Sequence, residues 1–381
     1  MLLLFLLFLG IIAGVAGSIS IIDTVRISCL DIVVFISFLY SLFNFRKIIP
    51  ILKRDSISDS FLLFLLIALI SLILTPLTLT PIQFFISFLY IVRIVLYFSV
   101  YPTLKLLINE DRIKKNDIHK TIVRSGLVLC VIGWIGYFLY PDLRNLSYLG
   151  WDPHYKRIFS TFLDPNFLGI YLVICLAVLL NEWKLKSIFS ILLLIATIFF
   201  TYSRSSLAAL MLLGILCVWR TGKRILFIPI ISLFIVGLFF LPRPGGEGVR
   251  LERLFTISQR LDHARLGLSI FFSHPILGVG FDTVRYAKAG MENSQMWLIS
   301  HAGAGLDITF LFILATSGII GFTFFIRFLY FIFLKAPGKI KIILLLVLFH
   351  SSFENSFFYP FVFLALWMEF ASIYSKKTEV C

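Results

Sequence analysis

Residues 61–80 read FLLFLLIALISLILTPLTLT, twenty consecutive positions without a charged side chain. A helix of about 20 apolar residues is long enough to cross the hydrocarbon core of a bilayer, which is roughly 30 Å thick. A helix also satisfies its own backbone hydrogen bonds inside the membrane, which an irregular segment cannot do. This stretch therefore predicts a membrane-spanning helix, and the same pattern recurs along the chain.

Eleven further segments of this kind predict an all-α, polytopic bundle of about twelve transmembrane helices. Of the 381 residues, 60% are hydrophobic and only 14% are charged, whereas soluble domains carry about 25% charged residues. The 42 phenylalanines suit an exterior that faces lipid. We interpret residues 1–381 as a single membrane domain. Its predicted spans are 2–22, 27–45, 61–80, 82–106, 121–140, 167–181, 187–202, 206–220, 225–241, 306–333, 340–356 and 357–374.

The lysines and arginines are divided unequally between the two sides of these spans. Short loops on one side carry 20 of the 34, the other side carries 12, and Arg93 and Arg327 fall inside spans. Basic residues in short loops mark the cytoplasmic side. The pattern predicts a multi-pass protein with both termini in the cytoplasm. It also accounts for the net charge of +14 without nucleic acid as a partner; membrane lipids are the expected surroundings.

The predicted outer side carries one long connection, residues 242–305, which we expect to be a large, structured extracytoplasmic loop. Ser258 is a suitable N-cap, and apolar residues three or four positions apart predict an amphipathic helix from there to about Ser273. His274-Pro275 would end this helix, and Gly278-Val279-Gly280 predicts a tight turn. Such a helix would lie over the bundle or in the membrane interface.

Three arginines on the predicted outer side are candidate ligands for an anion. Arg204 follows Thr201-Tyr202-Ser203, between the seventh and eighth spans. It is either an interfacial anchor or a bidentate clamp for phosphate. Arg260 and Arg265 lie on the loop helix, where Arg265 can instead pair with Asp262, three residues earlier.

Arg93 needs a separate explanation, because it lies near the middle of the fourth span. A lone arginine at that depth must face the bundle interior or a cavity. It is therefore a candidate for the same anion site, or one half of a structural ion pair. The possible acidic partners are Asp31, Glu354 and Glu369.

Asp307 and His301 flank the start of the tenth span and are the candidate proton acceptors. Asp307 can either cap that helix or act as a general base, and His301 titrates near neutral pH. There is no Asp-x-Asp pair, and none of the five cysteines forms a Cys-x-x-Cys pair. The sequence therefore predicts neither a metal site nor another cofactor.

Four short motifs, in order, resemble one family of bacterial envelope enzymes. Residues 160–169, STFLDPNFLG, are similar to its G-T-F-x-x-P-N-x-x-G motif, and residues 201–205, TYSRS, to its S-x-S-R-S/G motif. Arg260 followed by residues 274–280, HPILGVG, resembles its arginine-containing loop, and residues 311–321 resemble its helix that contains G-I-I-G. Residues 155–325 thus resemble the superfamily of O-antigen ligases and Wzy-like O-antigen polymerases.

The resemblance implies a GT-C-like glycosyltransferase of the bacterial inner membrane that is inverting and independent of metal. It implies an undecaprenyl-pyrophosphate-linked glycan as donor, and a lipid-linked or glycan-linked acceptor. Arg204 and Arg260 would hold the pyrophosphate leaving group. Asp307 stands where the family's ligases often have a histidine followed by asparagine, and an acid there is more polymerase-like. His301 can substitute as the base.

Two other functions are compatible with a bundle of twelve spans. A transporter or flippase of lipid-linked oligosaccharides would explain Arg93 and the cationic outer side. That class predicts interrupted helices in matching positions of two inverted halves, which the sequence does not show. A relative of the SEDS peptidoglycan polymerases would share the lipid-carrier chemistry.

Overall fold

A computed structural model describes residues 1–22, 25–149, 153–181, 188–222, 227–242, 249–251, 255–292 and 305–373. These residues form a helical bundle and one small β-hairpin. The first helices are α1 (Leu2–Ala13), α2 (Cys29–Phe43), α3 (Phe45–Lys53), α4 (Ser56–Ile73), α5 (Pro81–Asn109), α6 (Lys115–Leu139), α7 (Pro165–Asn181) and α8 (Ile188–Phe200). The others are α9 (Arg204–Thr221), α10 (Phe227–Phe239), α11 (Phe255–Ser273), α12 (Val284–Glu292), α13 (Thr309–Lys335), α14 (Gly338–His350) and α15 (Pro360–Ala371). Two 3-10 helices cover Arg144–Leu149 and Ser160–Phe162.

Each of the twelve predicted spans overlaps one of these helices, in the predicted order. Among the described residues, four helices are individually long and apolar enough to cross a membrane: α4, α5, α6 and α13. A fifth span is possible if α2 and α3, which meet at 94°, are taken together. The chain is therefore a helical membrane protein, as predicted, while the number of twelve crossings stays a prediction.

The first predicted span, 2–22, is wrong as a single helix. Helix α1 ends at Ala13, because Gly14 adopts a left-handed φ of 60° and the amides of Val15 and Ala16 both donate to the carbonyl of Thr161 at 2.9 Å. The chain then forms an antiparallel hairpin of β1 (Ser18–Ile22) and β2 (Val25–Ser28). Alternating serine and isoleucine suits a strand, where the β-branched side chains share one face.

Aromatic rings fill the centre of the bundle. Phe61 of α4 and Trp367 of α15 are fully buried, with ring centroids 4.7 Å apart in an edge-to-face arrangement. Phe98 of α5 and Phe328 of α13 lie 5.1 and 5.0 Å from Phe61. Aromatic pairs in such arrangements attract each other by dispersion and through their ring quadrupoles. This packing matters because, inside a membrane, no hydrophobic effect drives the helices together. This cluster holds α4, α5, α13 and α15 against each other.

Helix α13 is broken at Gly318, where φ is 62° and ψ is −167°. The segment Pro275–Gly280 docks into this break: the amides of Val279 and Gly280 donate to the carbonyls of Ala315 and Thr316, and the amide of Ile319 donates to the carbonyl of Pro275. A β-carbon at position 318 would lie 2.1 Å from the carbonyl oxygen of Ile276. The two glycine motifs seen in the sequence are therefore one structural joint, which we call the Gly318 joint.

The loop helix forms largely where it is expected, as α11. It begins at Phe255, three residues before the predicted N-cap Ser258, and it ends at the predicted Ser273. Gly278 and Gly280 adopt left-handed φ values of 71° and 109°, as a tight turn requires. Helix α12 follows this turn and was not predicted. Helix α11 packs against α13, where Gly267 allows close contact with Leu311.

Candidate active site

A polar cavity of about 410 Å³ lies toward the end of the bundle at which α5, α7, α13 and α15 begin. Its apolar wall consists mainly of aromatic rings, including the stacked pair Phe167 and Tyr359, whose centroids are 3.9 Å apart. The polar side chains that line it are Tyr90, Arg93, Tyr97, Asp164, Asn166, Asp282, Asp307, Glu354, Asn355 and Tyr359. Carboxylates, amides and hydroxyls around one chamber suit a ligand that carries many hydroxyl groups.

Two of the predicted arginines come together beside this cavity. Arg204 begins α9, where Ser203 caps the helix by accepting a hydrogen bond from the amide of Ser206. Arg260 of α11 makes an ion pair with Glu354, which lines the cavity. Arg204 is close enough to both for Arg260 to repel it and for Glu354 to attract it. Glu354 thus belongs to this Arg204–Arg260–Glu354 cluster and is not the partner of Arg93.

Arg93 pairs with Asp31, one of its three proposed partners. Its Nε and one terminal nitrogen lie 2.8 and 2.9 Å from the two carboxylate oxygens of Asp31. Tyr97 also donates to Asp31 at 3.1 Å, and Ser28 forms a capping box with the same carboxylate at the start of α2. A bidentate pair of this kind offsets the cost of placing a guanidinium within the bundle. The structural ion-pair interpretation of Arg93 is confirmed, and the side chain also borders the cavity.

Arg265 lies apart from the cluster. Its side chain is 79% exposed, and it contacts Asp262 at 3.2 Å, the pairing expected at this spacing. Arg260 and Arg265 are five residues apart and face different directions on α11. The structure therefore brings Arg204 and Arg260 together but leaves Arg265 on the surface.

Asp307 lines the cavity two residues before α13 begins. It does not cap that helix: the N-cap is Ile308, without a side-chain hydrogen bond. Its carboxylate lies 3.2 Å from Nδ1 of His263, on α11. His263 was not predicted, although it follows Arg260 by three residues and so shares a helix face with it. His301, the second predicted base, lies outside the described residues.

Asp282 is a further acid of the cavity that the sequence analysis missed. It stands between the Gly280 turn and α12, with a left-handed φ of 60°. Burial raises its pKa well above the usual range, and the positive charges of Arg285 and Arg93 only partly oppose this. A strongly shifted pKa of this kind is common among residues of functional sites.

Buried polar residues hold the start of α9 in place. Arg157 is 3% exposed; it donates to the carbonyl of Thr201 at 2.8 Å and to the side-chain carbonyl of Asn166 at 3.1 Å. His350, at the end of α14, is fully buried between Ser206 and Ser356. The sequence did not indicate a role for His350, because it is a single histidine in an apolar stretch. In the described part of the chain, no group of three or more His, Cys, Asp or Glu side chains is placed to hold a metal ion.

Most of the charged residues of the cluster and the cavity lie in one segment of the chain, and this segment matches the model of a known family. The model of the family described as O-antigen ligase matches residues 189–326. Residues 189–326 are therefore similar to the O-antigen ligase family. The match contains Arg204, Arg260, Asp282 and Asp307, and it includes three of the four motifs. It confirms the predicted resemblance to the ligase and polymerase superfamily, while the motif at residues 160–169 lies outside it. The comparison with curated proteins finds no match.

The O-antigen ligase segment connects the fold with a general activity. In a helical membrane protein, a match to this family supports a glycosyl-transfer activity of the ligase and polymerase type in general terms. Lipid-linked glycans are the general class of substrate that the family implies. The Gly318 joint also falls inside the matched residues, so the family segment includes both the charged cluster and the device that anchors α11.

Proposed function

We propose that this O-antigen ligase family protein transfers a glycan from a lipid-pyrophosphate donor to a hydroxyl group of an acceptor, at the outer leaflet of a bacterial inner membrane. The acceptor is a lipid or another lipid-linked glycan, so the reaction is a ligation or a polymerisation. The observation that carries the proposal is the meeting of Arg204 and Arg260 beside the polar cavity. Two guanidinium groups are well suited to a pyrophosphate, which spreads negative charge over several oxygens.

The proposed chemistry needs charge stabilisation on one side of the sugar and a base on the other. As the bond from the anomeric carbon to the pyrophosphate oxygen breaks, Arg204 and Arg260 neutralise the leaving group. The acceptor oxygen attacks from the opposite face, and the carboxylate of Asp307 takes its proton. The products are an inverted glycoside and a lipid pyrophosphate. His263 would orient Asp307 from α11, while Arg93 stays committed to Asp31.

The distribution of basic residues supports an outer location for this site. The cavity lies at the end of the bundle opposite the short, lysine-rich and arginine-rich loops. With twelve crossings, both termini would be cytoplasmic, and residues 242–305 would form the large outer loop. Helix α11, packed on α13, would then cover the site and keep water from the departing pyrophosphate.

The decisive experiment measures glycan transfer by purified protein in liposomes, with a lipid-pyrophosphate-linked glycan as donor. Arg204→Ala and Arg260→Ala should each lower kcat/KM by about 100-fold or more. Arg265→Ala is the matched control, since this arginine of the same helix is exposed and should leave transfer unchanged. Full activity of both cluster variants, or equal loss in the control, would refute the pyrophosphate clamp. Transfer is also expected to persist in excess EDTA.

The choice between the two reactions depends on the acceptor. A gene deletion followed by gel analysis of the surface polysaccharide distinguishes them. Chains shortened to a single repeat indicate a polymerase, whereas full-length chains that stay on their carrier indicate a ligase. An unchanged profile would favour a transporter or an unrelated role.

A further inference from the structure

A second, mainly apolar groove of about 290 Å³ runs between α2 and α5, beside strand β2. Most of its wall consists of aliphatic and aromatic side chains from three elements: Val25 and Ile27 of β2, Ile32 and Phe35 of α2, and Leu89, Val92 and Leu96 of α5. The polar side chains of Arg26, Asp31, Tyr90 and Arg93 line the rest. A surface of this kind offers close packing and almost no hydrogen bonds, which suits a hydrocarbon chain.

The groove and the polar cavity share two residues, Tyr90 and Arg93. These side chains stand one turn apart on α5 and separate an apolar compartment from a polar one. The charge of Arg93 is neutralised by Asp31, whose carboxylate also accepts hydrogen bonds from Tyr97 and Ser28. The partition is therefore a closed polar network with no net charge to repel a lipid chain that lies against it.

The outer wall of the groove faces the surroundings of the bundle. Ile32 and Phe35 are 54% and 47% exposed. In a membrane protein, exposed apolar side chains on a helix of this kind face lipid. The groove begins at the N-terminal end of α2, the same end of the bundle at which α5 begins. It thus offers a lateral route from the bilayer to the wall of the cavity.

We propose that this groove binds the hydrocarbon chain of the lipid-linked glycan donor, so that the pyrophosphate and sugar enter the polar cavity past Tyr90 and Arg93. The inference rests on the proposed function, which supplies the chemical class of the donor. An amphiphile with a long apolar chain and a polar head needs an apolar compartment beside one that carries polar and charged side chains, and the groove and the cavity provide them. Affinity for the chain comes from shape-matched van der Waals packing, since lipid tails compete equally for apolar surface.

The test combines substitutions that fill the groove with donors whose hydrocarbon chains differ in length. Ile32→Trp and Val92→Trp each place a bulky ring in it, and the donors carry either a full-length prenyl chain or one of two or three isoprene units. We expect the KM for the long-chain donor to rise about tenfold. The kcat/KM for the short-chain donor should stay unchanged. Ile135→Trp is the matched control, on an exposed apolar position of α6 that is 53% exposed.

Equal effects on both donors, or none on the long-chain donor, would overturn the proposal. A second measurement does not depend on transfer: a prenyl phosphate with a diazirine on its chain is photo-crosslinked to the wild-type protein. Labelling should concentrate in peptides that cover residues 25–35 and 89–96, and unlabelled prenyl phosphate should compete while phospholipid should not. Labelling elsewhere, or competition by phospholipid, contradicts the groove. If the wild-type protein does not transfer glycan from the long-chain donor, the proposed function itself is refuted.

Discussion

The imidazole Nε2 of His350 lies 3.1 Å from the Oγ of Ser206, so the last turn of α14 is joined to the first turn of α9, where Arg204 lies. The hydroxyl of Ser206 also donates to the carbonyl of Asn166. On the other side of the ring, Nδ1 lies 2.6 Å from the hydroxyl of Ser356, which in turn donates to the carbonyl of Glu354. One imidazole thereby fixes the distance between the Arg204 turn and the turn that carries Glu354.

Replacing His350 should weaken transfer without removing a group that touches substrate. His350→Leu leaves two buried hydroxyls without their partner, at about 1–3 kcal/mol each, and the arginine cluster loosens. His350→Gln keeps a donor and should retain about tenfold more of the kcat than the leucine variant. Initial rates with saturating donor, together with thermal unfolding in detergent, check this. Identical rates for the two variants would reduce His350 to a purely structural role.

Asp307→Asn tests the assignment of the base. Asparagine keeps the size and the polar contact with His263 but cannot take a proton, so kcat should fall about 100-fold to 10,000-fold while KM changes little. Asp262→Asn, on the exposed face of α11, is the control. If Asp307→Asn retains full kcat, the role passes to Asp282 or His301, and His301→Ala measured in the same assay separates these two.

Asp282 should make stability depend on pH. Its pKa is raised in the folded protein by burial, so its contribution is complete at pH values below the ordinary range of an aspartic acid and is lost as pH rises through the raised pKa. Asp282→Asn should therefore unfold at a higher temperature than the wild type near neutral pH, and the difference should shrink toward pH 4. Asparagine also tolerates the left-handed backbone. A temperature difference that is constant with pH would contradict this.

The Gly318 joint predicts a backbone-specific defect. Gly318→Ala introduces a β-carbon 2.1 Å from the carbonyl oxygen of Ile276 at a φ of 62°, so it should destabilise the protein by more than about 1 kcal/mol. Gly136→Ala in α6 is the matched control: no atom lies within 4 Å of the added carbon, and alanine favours helix. Thermal unfolding of both variants gives the comparison. Equal unfolding temperatures for the two variants would show that the joint accommodates the added β-carbon without loss of stability.

Local patterns were sufficient for most of the helices and for two arginines of the site. Hydropathy placed a helix in each predicted span, because an apolar run in a membrane has few other structures open to it. It could not show that α1 ends at Ala13, since the contact with Thr161 is remote in sequence. Charge spacing showed that Arg265 can pair with Asp262, whereas the choice of Asp31 for Arg93 depends on how α2 and α5 are packed. His263 and Asp282 belong to the site only through tertiary structure.

Because the Gly318 joint anchors the chain just after α11, the helix can tilt about that end. Arg260 lies thirteen residues before Ser273 on α11, a distance of about 20 Å along a straight helix. A tilt of roughly 10° at the anchored end would therefore carry its guanidinium about 3–4 Å, enough to join or leave Arg204. The spacing of two positive charges at one end of α11 is thus set by carbonyl and amide groups at the other.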